Sequence, residues 1–109
     1  MQIHDYKTTS GKNIIKEYLS SLPKTEMYTG YHIRHILTQR GIDALDELDT
    51  RQLKGKLWEI KFSQNRIMYV VADRENLYML HACKKQKGKA EQFEFETALN
   101  RAKEAGFDI

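Results

Sequence analysis

The sequence predicts a small α+β domain: an antiparallel sheet with two N-terminal helices and a C-terminal helix on one of its faces, in the order β-α-α-β-β-β-α. Three observations carry this expectation. Apolar residues recur near a 3.6-residue period up to about residue 40, then alternate from Leu57 onward. A helical repeat returns at Phe95, Ala98, Leu99 and Ala102. The chain has 109 residues, 40% of them hydrophobic, which is enough for one domain over residues 1–109 and not for two.

Each element has a local reason. MQIHDYK is short and partly alternating, as an edge strand would be. Ser10 is a candidate cap for a first helix reaching about Leu22, with Ile14, Ile15, Tyr18, Leu19 and Leu22 on one face; Pro23 closes it. A second helix is expected over about Lys24–Arg40, with Ile33, Ile36 and Leu37 as its apolar stripe and Gly41 as its stop. IDALDELDT reads as a helical turn or a loop with four solvated carboxylates. Three strands are then expected around Leu57–Phe62, Ile67–Val71 and Leu77–His81. The short polar connections SQN and DREN suit hairpins. The last helix is expected over about Gly88–Ala105, ended by Gly106.

Composition excludes some classes of function. No apolar run approaches the roughly 18 residues of a membrane span, so no membrane partner is expected. The opening residues lack the charged-then-apolar pattern of a secretory leader, and the single cysteine, Cys83, forbids an internal disulfide. The expectation is a cytoplasmic protein. Net charge is only +3, but it is unevenly placed. Between Arg51 and Lys89 ten basic residues face three acidic ones, a local charge of +7; the rest of the chain carries −4. Such a stripe suits a phosphate backbone, or is a solvated face that happens to be basic.

The segments LKGKLWEIKF, NRIMYVV and YMLHACKKQKGKAEQFEFETALNRAKE resemble the HigB-like, phage-derived branch of the RelE toxin superfamily. YKTTSGKNIIKEYLSSL is similar to that family's opening strand and first helix, so the likeness spans essentially the whole chain. It implies a small RelE-like fold and the toxin of a type II toxin–antitoxin pair. Such toxins enter the ribosomal A site and cut translated mRNA without a metal or other cofactor. The implied partners are the ribosome, mRNA and a helix-turn-helix, HigA-like antitoxin, with operator DNA contacted only through that antitoxin. Lys61 and Lys85 fall where relatives carry arginines. Asn65 stands where an aromatic residue is common, and no tyrosine occupies the C-terminal position near Glu91 and Gln92.

Metal-free RNA cleavage needs a base for the 2′-hydroxyl, cations for the phosphorane and an acid for the leaving 5′-oxygen. Arg66, expected at the start of a strand, can bind two phosphate oxygens through its guanidinium fork, or is a surface arginine beside a hairpin. His81 titrates in the right range for proton transfer, or is a strand histidine packed under the last helix. Lys84 and Lys85 are further catalytic candidates, with Lys61. Arg51, Lys54, Lys56, Lys87 and Lys89 are expected to bind RNA phosphates. Alternation should place Lys61 on the face of Glu59 and opposite Ile60. Glu59 is either a base or the partner of Lys61 or Arg66. Trp58 and Tyr69 either stack on bases or fill the core. His32 and His35 lack the further ligands of a zinc site, so no metal is expected.

Two other functions fit the same residues. One is a non-catalytic RNA-binding module, whose affinity would fall steeply with salt. The other is an inactive toxin kept as an antitoxin-binding co-repressor.

Overall fold

Asn13, not Ser10, opens the first helix: its side-chain oxygen accepts a hydrogen bond from Lys16 N at 3.0 Å. Ser10 instead meets Thr8 in the preceding turn, at 3.0 Å between hydroxyl oxygens. The computed structural model describes residues 1–109. Helix α1 covers Ile14–Ser20, shorter at both ends than expected, and Pro23 caps the start of α2, Lys24–Arg40. Gly41 ends α2 with a φ of 73°, a left-handed turn that glycine adopts without strain. A 3-10 helix over Gly41–Glu47 takes up the first part of the IDALDELDT segment.

The strands are β1 (Gln2–Asp5), β2 (Asp49–Lys54), β3 (Leu57–Phe62), β4 (Asn65–Asp73) and β5 (Asn76–Lys84), followed by α3 (Gly88–Glu104). The class is α+β, as expected, with two corrections. First, the sheet has five strands in the order β1-β5-β4-β3-β2 and is mixed, because β1 runs parallel to β5. Strand β2 was unexpected because DTRQLK is largely polar. An edge strand can be polar, since it needs to bury little. Second, the helices cover both faces, not one. Helices α1 and α2 pack Ile15, Leu19, Ile33 and Leu37 on Ile60, Phe62, Ile67, Tyr69, Leu77 and Met79. Helix α3 packs Ala98 and Ala102 on Leu57, Met68, Val70, Leu80 and Cys83. The unbroken apolar run Ile67–Val71 is the sequence mark of a strand buried on both sides. No helix is long and apolar enough to cross a membrane.

Three details position the cleft described below. The register of β4 against β5 slips between Met68 and Tyr69, so Met68 pairs with His81 and Tyr69 with Met79. This bulge lets Leu80 and His81, neighbours in sequence, both face α3. Arg34 binds Asp5 through two contacts, at 2.7 and 2.9 Å, tying α2 to β1. Asn65 is fully buried and joins α1, α2 and β5: it donates to Glu26 at 2.7 Å and accepts from Tyr18 at 2.6 Å and Lys84 Nζ at 3.0 Å.

Candidate functional site

The strand register builds one charged row and one mixed row on the α3 face. Lys61 pairs with Arg66, and Arg66 with Cys83. One step along, Arg51 pairs with Glu59, Glu59 with Met68, and Met68 with His81. The first turns of α3 add Glu91 and Glu94 above these rows. The result is a cleft of about 160 Å3 with five cations (Arg51, Lys61, Arg66, Lys84 and Lys85) and three carboxylates, Glu59, Glu91 and Glu94. It is smaller and more polar than the few hundred Å3 of apolar space that buries an organic ligand. It suits a single charged group on a polymer.

Arg66 is held by its own turn. Nη1 donates to Asn65 O at 2.8 Å and, more weakly, to Ser63 O at 3.4 Å, while its other N–H groups meet no protein acceptor. Ser63 adopts a φ of 53° in this two-residue turn, which sets the carbonyls that grip the guanidinium. Lys84 is fixed by Asn65 and lies 3.8 Å from Glu26. The backbone N–H of Lys85 bonds Gln64 O at 2.7 Å, so this residue is held at the end of the hairpin.

His81 stands one layer behind the cleft, not in it. Arg101 Nη1 donates to His81 Nδ1 at 2.9 Å and to Leu80 O at 3.1 Å. An arginine cannot accept, so Nδ1 must be the unprotonated nitrogen and Nε2 carries the hydrogen. That Nε2–H donates to Glu94 Oε2 at 2.6 Å. Burial, and then the charge of Arg101, holds the His81 pKa below its usual 6.5 even though Glu94 opposes the shift. The imidazole therefore orients Glu94 and leaves no nitrogen free for a substrate.

Glu59 is 2% exposed. Arg51 Nε lies 2.8 Å from its Oε2, but the N–H is not aligned with the contact, and that oxygen has no hydrogen bond. The partner of Glu59 is thus Arg51, not Lys61 or Arg66. As expected from alternation, Glu59 and Lys61 share one face and Ile60 takes the other. Burial, and then Glu94, push the Cys83 thiol pKa up, leaving it an unreactive neutral group. His81, Cys83 and Glu94 present ligand atoms within 4.8 Å of one another. Metal binding at His81 Nε2 would move the proton to Nδ1, facing the donating Arg101. The three groups are better explained as satisfying one another.

Among the predicted residues, Arg51, Lys61, Arg66, Lys84 and Lys85 come together in the cleft, whereas Lys54, Lys56, Lys87 and Lys89 lie outside its lining. Trp58 and Tyr69 belong to the core of the opposite face; burial raises the Tyr69 pKa to about 12. Glu94 and Arg101 were missed. The sign was available: both lie on the stripe of α3 that carries Ala98 and Ala102, where a charge facing the sheet needs a partner.

Residues 17–103 match the family described as Phage derived protein Gp49-like (DUF891). The chain belongs to that family. The matched stretch starts within α1 and includes every residue of the cleft. The Gp49-like family is toxin-like, of the RelE kind found in toxin–antitoxin systems. No curated protein matches the chain.

Proposed function

We propose that this Gp49-like protein is the toxin of a type II toxin–antitoxin pair, a HigB-like endoribonuclease with a RelE-like fold that cuts translated mRNA on the ribosome without a metal. One observation carries the proposal. A carboxylate of fixed orientation, Glu94, lines the same small cleft as Arg66, Lys61 and Lys85. Membership of a toxin-like family supports the same reading.

In this reading a backbone phosphate sits against Arg66, whose open N–H groups bind two of its oxygens. Glu94 takes the proton of the adjacent 2′-hydroxyl. The freed oxygen attacks phosphorus, and Arg66 with Lys61 stabilises the extra charge of the phosphorane. The bond to the 5′-oxygen breaks as Lys85 protonates it. The products are a 2′,3′-cyclic phosphate and a free 5′-hydroxyl. His81 holds Glu94 and does not touch RNA. Lys54, Lys56, Lys87 and Lys89 extend the positive surface toward ribosomal RNA. A helix-turn-helix, HigA-like antitoxin would neutralise the toxin in the cytoplasm and carry the operator contacts.

Primer-extension mapping in a purified translation system tests this. Wild type should cut mRNA only when ribosomes are present, and Arg66→Ala and Glu94→Gln should leave it intact. Uncut mRNA with wild type and ribosomes would overturn the proposal. RNA binding without cleavage would favour a binding module.

A further inference from the structure

We infer that the groove between β2 and α3, which continues from the phosphate cleft, is a nucleobase pocket that favours bases bearing an exocyclic amino group over uracil. The inference rests on the phosphate reading of the neighbouring cleft and adds a recognition site to it.

The groove holds about 290 Å3 and shares Arg51, Glu59, Met68 and Glu91 with the phosphate cleft. Its character changes along its length. Cations dominate the first cleft, whereas Leu53, Met68 and Phe95 form apolar walls in the second. A phosphate at one end and a flat apolar body at the other is the order of parts in a nucleotide. The volume is at the lower end for small-ligand sites and suits one planar ring system.

Apart from the guanidinium of Arg51, the polar groups of the groove offer acceptors: the carboxylates of Glu59 and Glu91 and the amide oxygens of Gln52 and Gln92. Glu59 Oε2 is buried where the two spaces join, ion-paired with Arg51 Nε at 2.8 Å but without an aligned hydrogen bond. Gln52 Nε2 already donates to Gly55 O at 2.8 Å, and Gln92 Nε2 to Glu96 Oε1 at 3.1 Å. Neither amide oxygen takes part in a hydrogen bond of its own, so both are unused acceptors. A buried carboxylate oxygen that has an ion-pair contact but no aligned hydrogen bond gains from a further donor, and a ligand that supplies an N–H provides one. Cytosine, adenine and guanine offer an amino group; uracil offers two carbonyl oxygens and a single ring N–H.

The test is a titration of the whole protein, followed by amide NMR, with CMP, UMP and ribose 5-phosphate. CMP should bind about fivefold more tightly than UMP or ribose 5-phosphate, one hydrogen bond's worth, and shift the amides of Leu53, Gln92 and Phe95. Glu59→Gln replaces one acceptor oxygen with a donor and should narrow or reverse the preference. Gln92→Ala, at an exposed helix position that leaves folding intact, should weaken CMP about twofold to fivefold and leave ribose 5-phosphate unchanged. Equal affinities for CMP, UMP and ribose 5-phosphate, with shifts confined to Arg66 and Lys85, would overturn the base pocket alone. Ribose 5-phosphate that shifts no amide near Arg66 would overturn the phosphate cleft itself.

Discussion

Arg101 decides which nitrogen of His81 carries the proton. Its Nη1 donates to Nδ1 at 2.9 Å, so Nε2 keeps its hydrogen and gives it to Glu94 at 2.6 Å. Arg101 is itself anchored, on Leu80 O and over the ring of Tyr6, with 4.3 Å from its guanidinium carbon to the ring centre.

That contact makes His81 a neutral residue with a defined pH response. Its folded pKa lies below 6.5, chiefly through burial, while the unfolded chain takes up a proton near 6.5. Above about 6.5 both states are neutral at this site and its contribution to stability is complete. As the pH falls through 6.5 toward the folded value, the unfolded state binds more protons and stability is lost. Urea unfolding of wild type and His81→Gln should show a stability difference that shrinks between pH 7.5 and pH 5. Nitrogen NMR should show the Nε2–H form at neutral pH. A pH-independent difference, or an Nδ1–H imidazole, would contradict the assignment.

Arg66 and Lys89 separate chemistry from general charge. Arg66→Ala removes the one guanidinium gripped at the β3–β4 turn with its outer N–H groups open to the cleft. Cleavage should fall by about 10²–10³-fold, as when a donor to a transition-state oxyanion is removed. Stability should change by no more than about 0.5 kcal/mol, because the side chain fills no core space. Lys89→Ala, outside the cleft, should change cleavage only a few-fold, and more so at low salt. Single-turnover rates on ribosome-bound mRNA, beside melting curves, distinguish the two. Equal losses from both variants would mean that charge alone, and not the cleft, is responsible.

Local pattern carried most of the fold and half of the site. Helix α2 and its Gly41 stop, the hairpins and α3 follow from apolar spacing and turn chemistry, which act over a few residues. The parallel pairing of β1 with β5 joins residues more than 70 positions apart, and no local pattern encodes it. Strand β2 hides because an edge strand of DTRQLK composition resembles a loop. The cations of the cleft were legible since β3 and β4 are adjacent in sequence and their register follows from a short turn. Glu94 and Arg101 were not, because their role depends on which sheet face α3 covers. The bulge that turns both Leu80 and His81 toward α3 likewise arises from pairing geometry and has no glycine or proline to announce it.

Asp5 and Arg34 should matter to stability more than any surface pair. Their side chains are only 5% and 13% exposed, and Asn13 Nδ2 also donates to the same carboxylate at 2.9 Å. Asp5→Ala leaves a guanidinium buried without its partner, which costs about 3–5 kcal/mol. Replacing both residues with apolar ones of similar size should cost much less, because no charge is then stranded. Denaturant titration measures this. A loss below about 1 kcal/mol for Asp5→Ala would show that water reaches Arg34 and solvates it.

Gly30 sits in the middle of α2, where glycine ordinarily weakens a helix by about 0.5–1 kcal/mol relative to alanine. Its backbone shows no left-handed φ, so conformational freedom does not explain it. The reason is space: a Cβ there would lie 2.6 Å from Leu19 Cδ2 and 3.4 Å from Phe62 Cζ. Leu19 is fully buried and cannot swing into solvent. Overpacking of this kind costs about 1–3 kcal/mol and outweighs the gain in helix propensity. Gly30→Ala should therefore destabilise the protein by about 1 kcal/mol, against the direction expected for an exposed helix. Leu19→Val draws the contact back and should lose about 1 kcal/mol by itself. The double variant should be more stable than the sum of the single losses predicts, since the smaller side chain makes room for the methyl. Strict additivity in that cycle would show that the close approach of α1 and α2 at Gly30 does not set the limit.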